Sequence, residues 1–550
     1  MASSSSYWSL PRKNQIALLV LCRVTEPLAF TSISPYIYFM VRDFGYNDPS
    51  TISALVTLVM SSFAFGQALT GIFWGRFSDH LGRKPALLLG LIGTSISICV
   101  FGLSRNIYWA IAGRLLAGML NGNVGVMRTI IAEIIGDQKE HQTRAFAILP
   151  MTFNIGTIVG PMVGGLLADP AHNYPQWFGN SKFLLKYPYI LPNLFPIPLL
   201  LLAFILASLF IEETTENHHT ALLPLHRDPG LKLGDWILNK LNLPVPQRRH
   251  HLVYDVLTNE VEEESLLESS ASTISTLGTA TPVLSSPKPV KPSLRSILTK
   301  PVRVTLFCFV ALMLHCPSFL QLLPLFLSTP RMPDAPPAHG LVFNGGLGWS
   351  TARIGALMSI LGFTGILLQL VVYPTVANIY GNAKVHRLSL LAFPVAYFVI
   401  PFLSFTPESP ALISTLLIIP VGMLVVLGRT FAIPPMTILM TNAAPSRNVL
   451  GTVHGLTHSV VSVARCLGPF LLGNLYSLGV RINIIGLAFW TMSAVVLVEI
   501  YVARNLREWG SDKELPAGPE NSVTETEEST PLGVEQQRAS YETFKNPNDK

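Results

Sequence analysis

The chain has 550 residues, 49% of them from the set AVILMFWYC and only 13% charged, with a formal net charge of +6 and a mean hydropathy of +0.44. Soluble domains carry roughly 25% charged residues, so this supply argues against a soluble enzyme or a nucleic-acid binder. The surplus positive charge reads instead as basic loops on one side of a membrane. All five cysteines, Cys22, Cys99, Cys308, Cys316 and Cys466, fall in apolar stretches, and MASSSSYWSLPRKNQ lacks the charged-then-apolar layout of a cleaved leader.

A bilayer-crossing helix needs about 20 mostly apolar residues. Twelve such runs, spans 1 to 12, follow in chain order: 16–40, 51–75, 85–104, 107–131, 143–167, 189–211, 302–327, 352–376, 385–405, 410–440, 449–475 and 483–503. The predicted class is an all-α membrane protein of 12 transmembrane helices in two pseudo-symmetric six-helix bundles, 16–211 and 302–503. Segment 1–15 precedes them, and 212–301 and 504–550 have the Ser, Thr, Pro and charge content of disordered linker and tail. Twelve Lys/Arg flank the spans on the N-terminal side against seven on the other. That bias predicts a cytoplasmic N-terminus, linker and tail.

Span 1 carries Arg23 and Glu26 three residues apart, hence on one helix face. A mid-membrane carboxylate is costly as an ion, whereas a neighbouring arginine holds it ionised. That competition suits a proton carrier, with a static ion pair as the alternative; Pro27 also interrupts the local helix ladder and suits a bending gate. The loop after span 2 reads GRFSDHLGRKP, with Gly75, Asp79, Gly82, Arg83 and Lys84. Its glycines fit a tight turn, its basic pair the cytosolic face, and its carboxylate could cap the positive N-terminus of a helix in the other half. Such a cap would favour the state closed on the cytosolic side.

In span 4, Arg114 lies towards the outer end. A buried arginine costs about 2.5–3.5 kcal/mol and normally faces a partner or cavity; outward snorkelling is the alternative. Arg128 and Glu133 read as loop-facing partners of Lys139 or Arg144. Span 5 carries Gly156, Gly160, Pro161, Gly164 and Gly165, a small-residue stripe for close helix contact, with Gly355, Gly362 and Gly365 of span 8 as a candidate partner face. His315 is central in span 7, either titratable or a hydrogen-bonded core histidine. His454 and His458 in span 11 have a metal-compatible i, i+4 spacing, but no carboxylate accompanies them. Gln321, Gln369 and Asn154 are further polar candidates. In the linker, LKLGDWILNKLNLP (231–244) has an interfacial pattern, and Glu262 with Leu266 and Leu267 forms an acidic dileucine string. FNGGLGW (343–349) reads as an external loop.

Correspondences between the halves argue for duplication. Gly160-Pro161 matches Gly468-Pro469 at offset 308, Glu26 and Pro35 fall on His315 and Pro324 at offset 289, and Asp79 and Gly82 on Asn378 and Gly381 at offset 299. Arg83 becomes Asn382, so a gate in the second half would be weaker.

GRFSDHLGRK resembles the G-x-x-x-D-x-x-G-R-[RK] loop of the major facilitator superfamily. The GxxxGPxxGG of span 5 resembles the pattern of its 12-span drug:proton antiporter group. Arg114 with Gly118 resembles an R-x-x-x-G motif linked there to proton transfer, the R-x-x-E-P string resembles fungal members, and the chain also looks like plant zinc-induced-facilitator-like proteins. The resemblance implies a monomeric, proton-coupled antiporter in the plasma or vacuolar membrane, exporting a small organic solute or drug by alternating access. It implies no cofactor; the composition argues against a nucleic-acid partner, no enzyme motif stands out, and no metal site is assigned, although the likeness to the zinc-induced-facilitator-like proteins keeps His454 and His458 open as a metal pair. Glu26, with Arg23, Arg114 and His315, would form the coupling site. A proton-coupled importer or uniporter of a nutrient or metal chelate, and a non-transporting sensor, are the alternatives.

Overall fold

The computed structural model describes residues 11–135, 152, 155–156, 159–214, 222–223, 228–244, 297–332, 339–407, 412–445 and 450–508. Asn154, Lys139, Arg144, the dileucine string and the tail beyond 508 lie outside these residues, as does the side chain of His458.

Among the described residues there is no sheet, and nine helices are long and apolar enough to cross a membrane. The other three predicted spans are not among these nine. Span 1 runs as Lys13–Thr31, turns, and resumes as Ile37–Asp43, and it carries Arg23 and Glu26. Span 5 is described in part, with residues 159–167 helical. Span 12, Leu487–Ala503, is apolar but has only 17 residues.

Span 2 is one helix, Pro49–Leu81. Asp48 starts it by accepting the Thr51 N–H at 2.8 Å, with Pro49 in the first turn. Its 33 residues reach about 50 Å against a hydrocarbon layer of about 30 Å, so its motif-bearing end projects beyond the apolar layer. Phe65, Leu69 and Phe73, four residues apart, are 54–59% exposed, as a lipid-facing stripe requires.

Span 3 is Arg83–Gly102. Span 4 breaks into Ile107–Met119 and Asn123–Ile135, and the break is built by span 2. The indole of Trp74 occupies the space beside Gly122, where a Cβ would lie 2.1 Å from the ring. The Met119 carbonyl accepts from Trp74 Nε1 at 2.8 Å and from Thr70 Oγ1 at 2.9 Å. Non-helical backbone at membrane depth needs such partners. Span 6 is Ile190–Leu194 and Pro196–Phe210.

In the second half, span 7 is the unbroken helix Lys300–Ser328 despite Pro317 and Pro324. Span 8 begins as Thr351–Leu367, passes through a π-turn at Leu368–Val372 and ends as Tyr373–Tyr380. Span 9 runs from Asn382–Leu390 through Ala392–Val399 into a 3-10 turn at Ile400–Phe405. Spans 10 and 11 are Leu412–Ala443 and Leu450–Arg481. The loop 343–349 folds back to satisfy the end of span 7: Trp349 N–H donates to Leu327 O at 2.8 Å and Gly348 N–H to Thr329 O at 2.9 Å.

Buried apolar residues fall into three clusters that describe the shape. The largest joins the second half to the far ends of spans 1, 2, 3 and 4, including Ile33–Val41, Ile52–Met60, Phe101 and Ile107. A separate cluster holds the first half together at the end nearest the N-terminus, through Ile16, Leu19, Trp74, Leu87 and Ile130. A third holds the corresponding end of the second half, through Ile297, Val302, Met440 and Val453. Among the described residues, the halves share one core at the far end and have separate cores at the terminal end.

Candidate functional site

The loop motif works within its own half. Arg83 donates to Asp79 Oδ1 at 2.5 Å and to Glu133 Oε1 of span 4 at 3.0 Å, and Glu133 also accepts from the Thr214 hydroxyl. The helix N-terminus capped here is that of span 3: Glu213 accepts the N–H of Arg83 at 2.8 Å and of Lys84 at 3.1 Å. Gly82 makes this possible, with φ of 107° and no room for a Cβ, which would lie 2.4 Å from Glu213 Oε2. The Asp79 side chain is 64% exposed and pairs with Arg83 in this state, and the cap on a helix of the other half belongs to the state closed on that side. One expectation changes. Gly75 serves no turn, because it lies inside the span 2 helix with nothing within 4 Å of a Cβ.

The second half repeats the cap. Glu508, just past span 12, accepts the Ala383 N–H at 2.6 Å beside Gly381, whose φ is 77°. A carboxylate after the sixth helix of each half thus caps the third. Lys84 is 1% exposed and donates to Asp228 Oδ2 at 2.5 Å and to Ser208 O at 2.7 Å. Asp228 in turn caps the helix Pro229–Lys240. That helix contains most of the expected interfacial segment. It docks Leu231 and Gly234 on span 6 and leaves Leu233 and Trp236 exposed.

The glycine stripe of span 5 has two jobs. Cβ atoms at Gly156, Gly160 and Gly164 would lie 2.5 Å from the Pro27 ring, 2.0 Å from Thr31 Oγ1 and 1.8 Å from Ser32 O, so this face seats span 1. Gly165 faces Gly355 of span 8, where a Cβ would lie 2.5 Å from Thr351 O and 2.7 Å from Gly355 Cα. At the symmetry mate Gly468 a Cβ would lie 2.2 Å from Leu314 O of span 7, so the matching Gly-Pro pairs seat matching helices. Further contacts between the halves cluster at the same far end. Ser50 Oγ donates to Ser477 O at 3.0 Å, Ser477 Oγ to Ser50 O at 2.8 Å, and Gly473 abuts Thr57.

In span 1, Arg23 donates to Glu26 Oε2 at 2.5 Å, with both residues buried. Asn123, fully buried at the start of the second segment of span 4, stands beside the Glu26 carboxylate. Its amide falls short of a well-formed hydrogen bond, and neither its Oδ1 nor its Nδ2 has a partner among the described residues. Arg128 is half-buried and lies within electrostatic reach of Arg23, Arg465 and His454, so it is not loop-facing. Thr441 hydroxyl and His454 Nε2 are 3.2 Å apart.

Arg114 does not snorkel outward. It is 3% exposed, and its guanidinium lies 4.9, 5.1 and 5.9 Å from the ring centres of Phe63, Phe30 and Phe101. This aromatic cage from spans 1, 2 and 3 stabilises the charge through the ring faces. Its Nε and Nη2 have no hydrogen-bond partner among the described residues. Gly118 lets span 4 approach span 2, with Phe63 O 2.0 Å from a Cβ there.

His315 belongs to a buried network that the sequence reading missed. Its Nδ1 meets Tyr397 OH at 2.9 Å and its Nε2 meets Glu499 Oε2 at 3.3 Å. His386 Nε2 lies 3.6 Å from Glu499 Oε1, and all three ionisable side chains are fully buried. Glu499 was findable as a carboxylate inside the apolar run of span 12; its partners on spans 7 and 9 were not. His315 and Glu26, matched by the repeat, therefore sit in different networks. Arg23, Glu26, Asn123, Arg128 and Arg465 come together, while Arg114 and His315 occupy separate pockets.

Comparison with known proteins accords with this architecture. The sequence profile of the Major Facilitator Superfamily matches residues 19–469. The Aspergillus fumigatus major facilitator superfamily multidrug transporter mfsB is 36% identical over 507 residues, covering 89% of this chain and 82% of that protein. The Arabidopsis thaliana protein ZINC INDUCED FACILITATOR 1 is 28% identical over 468 residues, covering 84% of each. Among solved structures, a D-xylose-proton symporter superposes with a TM-score of 0.58 at 12% identity, covering 90% of this chain and 98% of that one, a likeness of fold alone.

Proposed function

The chain belongs to the Major Facilitator Superfamily of membrane-embedded small-molecule transporters, and on that footing we propose that it is a proton-coupled antiporter exporting a small organic solute by alternating access. The observation that carries this reading is the buried Arg23–Glu26 pair, seated by the span 5 glycines next to the junction of the halves. An ionised Glu26 is tolerated there because Arg23 neutralises it; a proton arriving on Glu26 releases Arg23. One site thereby alternates between two charge states, and a solute with different affinity for the two shifts the conformational equilibrium.

The shared core at the far end and the separate cores at the terminal end support an open terminal side. With the terminal side in the cytosol, as the positive-inside bias suggests, this is the inward-open state. Closing that side would bring Asp79, exposed here, towards the N-terminus of span 11, where a carboxylate is favourable. Arg114 would position spans 1 to 4, and His315 with Glu499 would be a secondary proton-responsive group. The protein would act as a monomer, since each chain holds both halves of the site. The name of the fungal multidrug relative favours export.

Proton-coupled import on the same fold is favoured by one observation, the nearness of Arg128 and Arg465 to Arg23. A negatively charged solute there would bind together with a proton rather than against it.

The test is a solute screen in proteoliposomes with an imposed pH gradient, comparing wild type with Glu26→Gln. Gradient-driven movement should be lost in the variant while solute-for-solute exchange persists, and the direction of proton flux separates export from import. A variant that still couples at the wild-type rate removes Glu26 from the mechanism.

A further inference from the structure

The part of span 2 apolar enough to lie in hydrocarbon is Pro49–Gly71, and the helix continues to Leu81. At about 1.5 Å per residue, Phe73 stands about 3 Å beyond that part, Arg76 about 7–8 Å and His80 about 13–14 Å. The headgroup layer on each side of a bilayer is about 5–8 Å deep. Phe73 is therefore at the foot of the headgroups, Arg76 at the height of the phosphates and His80 at their watery edge.

These residues share one surface. Phe73, Arg76, Phe77, His80 and Leu81 have the i, i+3, i+4, i+7, i+8 spacing of a single helix face, and they line one open cavity of about 420 Å³. Phe73 ends the exposed row begun by Phe65 and Leu69, so the cavity continues the lipid-facing stripe. The Phe77 ring lies beside it, with centres 5.7 Å apart. Trp74, which bonds to span 4, is two residues from Arg76 and about 160° around the helix, so Arg76 faces away from the bundle. The linker meets the outer end of the cavity, where Leu222 N–H donates to Leu81 O at 2.9 Å.

Charge distinguishes this face from an ordinary lipid contact. Arg12, Arg83 and Lys84, at the same end of the first half, each hold a carboxylate, from Glu212, Asp79 and Asp228 respectively. Arg76 and His80 are exposed and have neither a hydrogen-bond nor an ion-pair partner among the described residues. Asp79, three residues from Arg76, is taken by Arg83. The cavity thus combines an aromatic wall at the foot of the headgroups with a basic rim, not neutralised, at phosphate height.

We propose that this cavity binds an anionic phospholipid of the leaflet on the terminal side, its phosphate held by Arg76 with His80 beside it and the start of its acyl chains lying over Phe73 and Phe77. The guanidinium fork matches two phosphate oxygens. A zwitterionic lipid brings its own ammonium to the same basic rim and is held less well. A soluble phosphate meets the rim without the aromatic wall. The site lies on the outer face of span 2, and it stands whether or not Glu26 carries protons.

The experiment titrates the full chain in detergent with phosphatidylglycerol or phosphatidylcholine of identical acyl chains and counts bound lipids by native mass spectrometry. Phosphatidylglycerol should be retained at lower concentration. Arg76→Gln should weaken that preference roughly 5-fold, the effect of one basic residue at an anionic surface, and His80→Gln should weaken it less. Arg76→Lys should keep most of it. Arg507→Gln removes an exposed charge at the same end of the second half and should leave the preference unchanged. A photoreactive phosphatidylglycerol should label the segment 73–81 in wild type and lose that label in Arg76→Gln. All these side chains are exposed, and an unchanged melting temperature in phosphatidylcholine verifies that the variants are folded. Equal retention of the two lipids overturns the proposal, as does labelling that Arg76→Gln leaves intact. Equal losses in Arg507→Gln and Arg76→Gln would show diffuse surface charge instead of a site. Stabilisation by inorganic phosphate equal to that by phosphatidylglycerol would make it a soluble-anion site and refute the lipid.

Discussion

Gly165→Ala tests whether the crossing of spans 5 and 8 is a seal that must open. The added Cβ would stand 2.5 Å from Thr351 O and 2.7 Å from Gly355 Cα. Both are backbone atoms and cannot rotate away, so the helices must part by about 1 Å to restore ordinary contact. Overpacking of this kind costs about 1–3 kcal/mol, and the cost falls only on the state in which the far ends touch. The equilibrium should therefore move about 5- to 150-fold towards the state open at the far end. The readout is a distance distribution between spin labels at Tyr108→Cys and Ile482→Cys, exposed positions at that end on opposite halves, after replacing the five native cysteines. Gly125→Ala is the control, because nothing lies within 4 Å of its Cβ. Gly165→Ala should add a long-distance population that Gly125→Ala lacks. A distribution and melting temperature identical to wild type would mean that the contact is no seal.

Glu499→Gln leaves His315 and His386 without their shared carboxylate in a fully buried setting. Removing one partner of such a network costs about 3–5 kcal/mol, visible as a lower melting temperature in detergent, and an unchanged value would show that the network is not ionised. The two motif glycines should separate. Gly82→Ala is strained by its φ of 107° and its contact with Glu213, whereas Gly75→Ala has open space, so only the first should lower the melting temperature in this state. Asp48→Ala should cost span 2 about 1 kcal/mol of N-cap stability, with Asp48→Asn nearly neutral. Hydrogen bonds from Thr51 hold the Asp48 carboxyl below its usual range. Its contribution is thus complete above the ordinary carboxylate range and is lost as pH falls through the lowered value, where amide exchange at the start of span 2 in wild type and Asp48→Ala should converge.

Nine of the twelve spans return as helices long and apolar enough to cross, and they were readable because crossing a bilayer is set by local quantities, the length of an apolar run and its charge count. Glycine spacing in span 5 was readable for a similar reason, since small residues at i, i+4 permit close approach whatever the partner. The partners themselves were only half legible. Gly355 was identified as a face for Gly165, but span 1 was not recognised as the seat of Gly156, Gly160 and Gly164. Asp79 was assigned to the opposite half, and its neighbour four residues on, Arg83, takes it in the state seen here. A single sequence carries no record of which conformation a cycling protein occupies.

Composition and periodicity alone determined that this chain lives in a membrane, as two related sets of six helices with ionisable residues sparsely placed within them. Only the tertiary structure decided which ionisable residues meet. Arg23 and Arg465 are more than 400 positions apart in the chain, and Glu499 finds histidines on two other spans. These pairings depend on how each helix is rotated about its axis and tilted against its neighbours, and a rotation of 100°, one residue's worth, moves a side chain from the interior to the lipid. The free energy that drives a helix into the bilayer is nearly indifferent to that angle; the packing of glycines, caps and buried charges sets it.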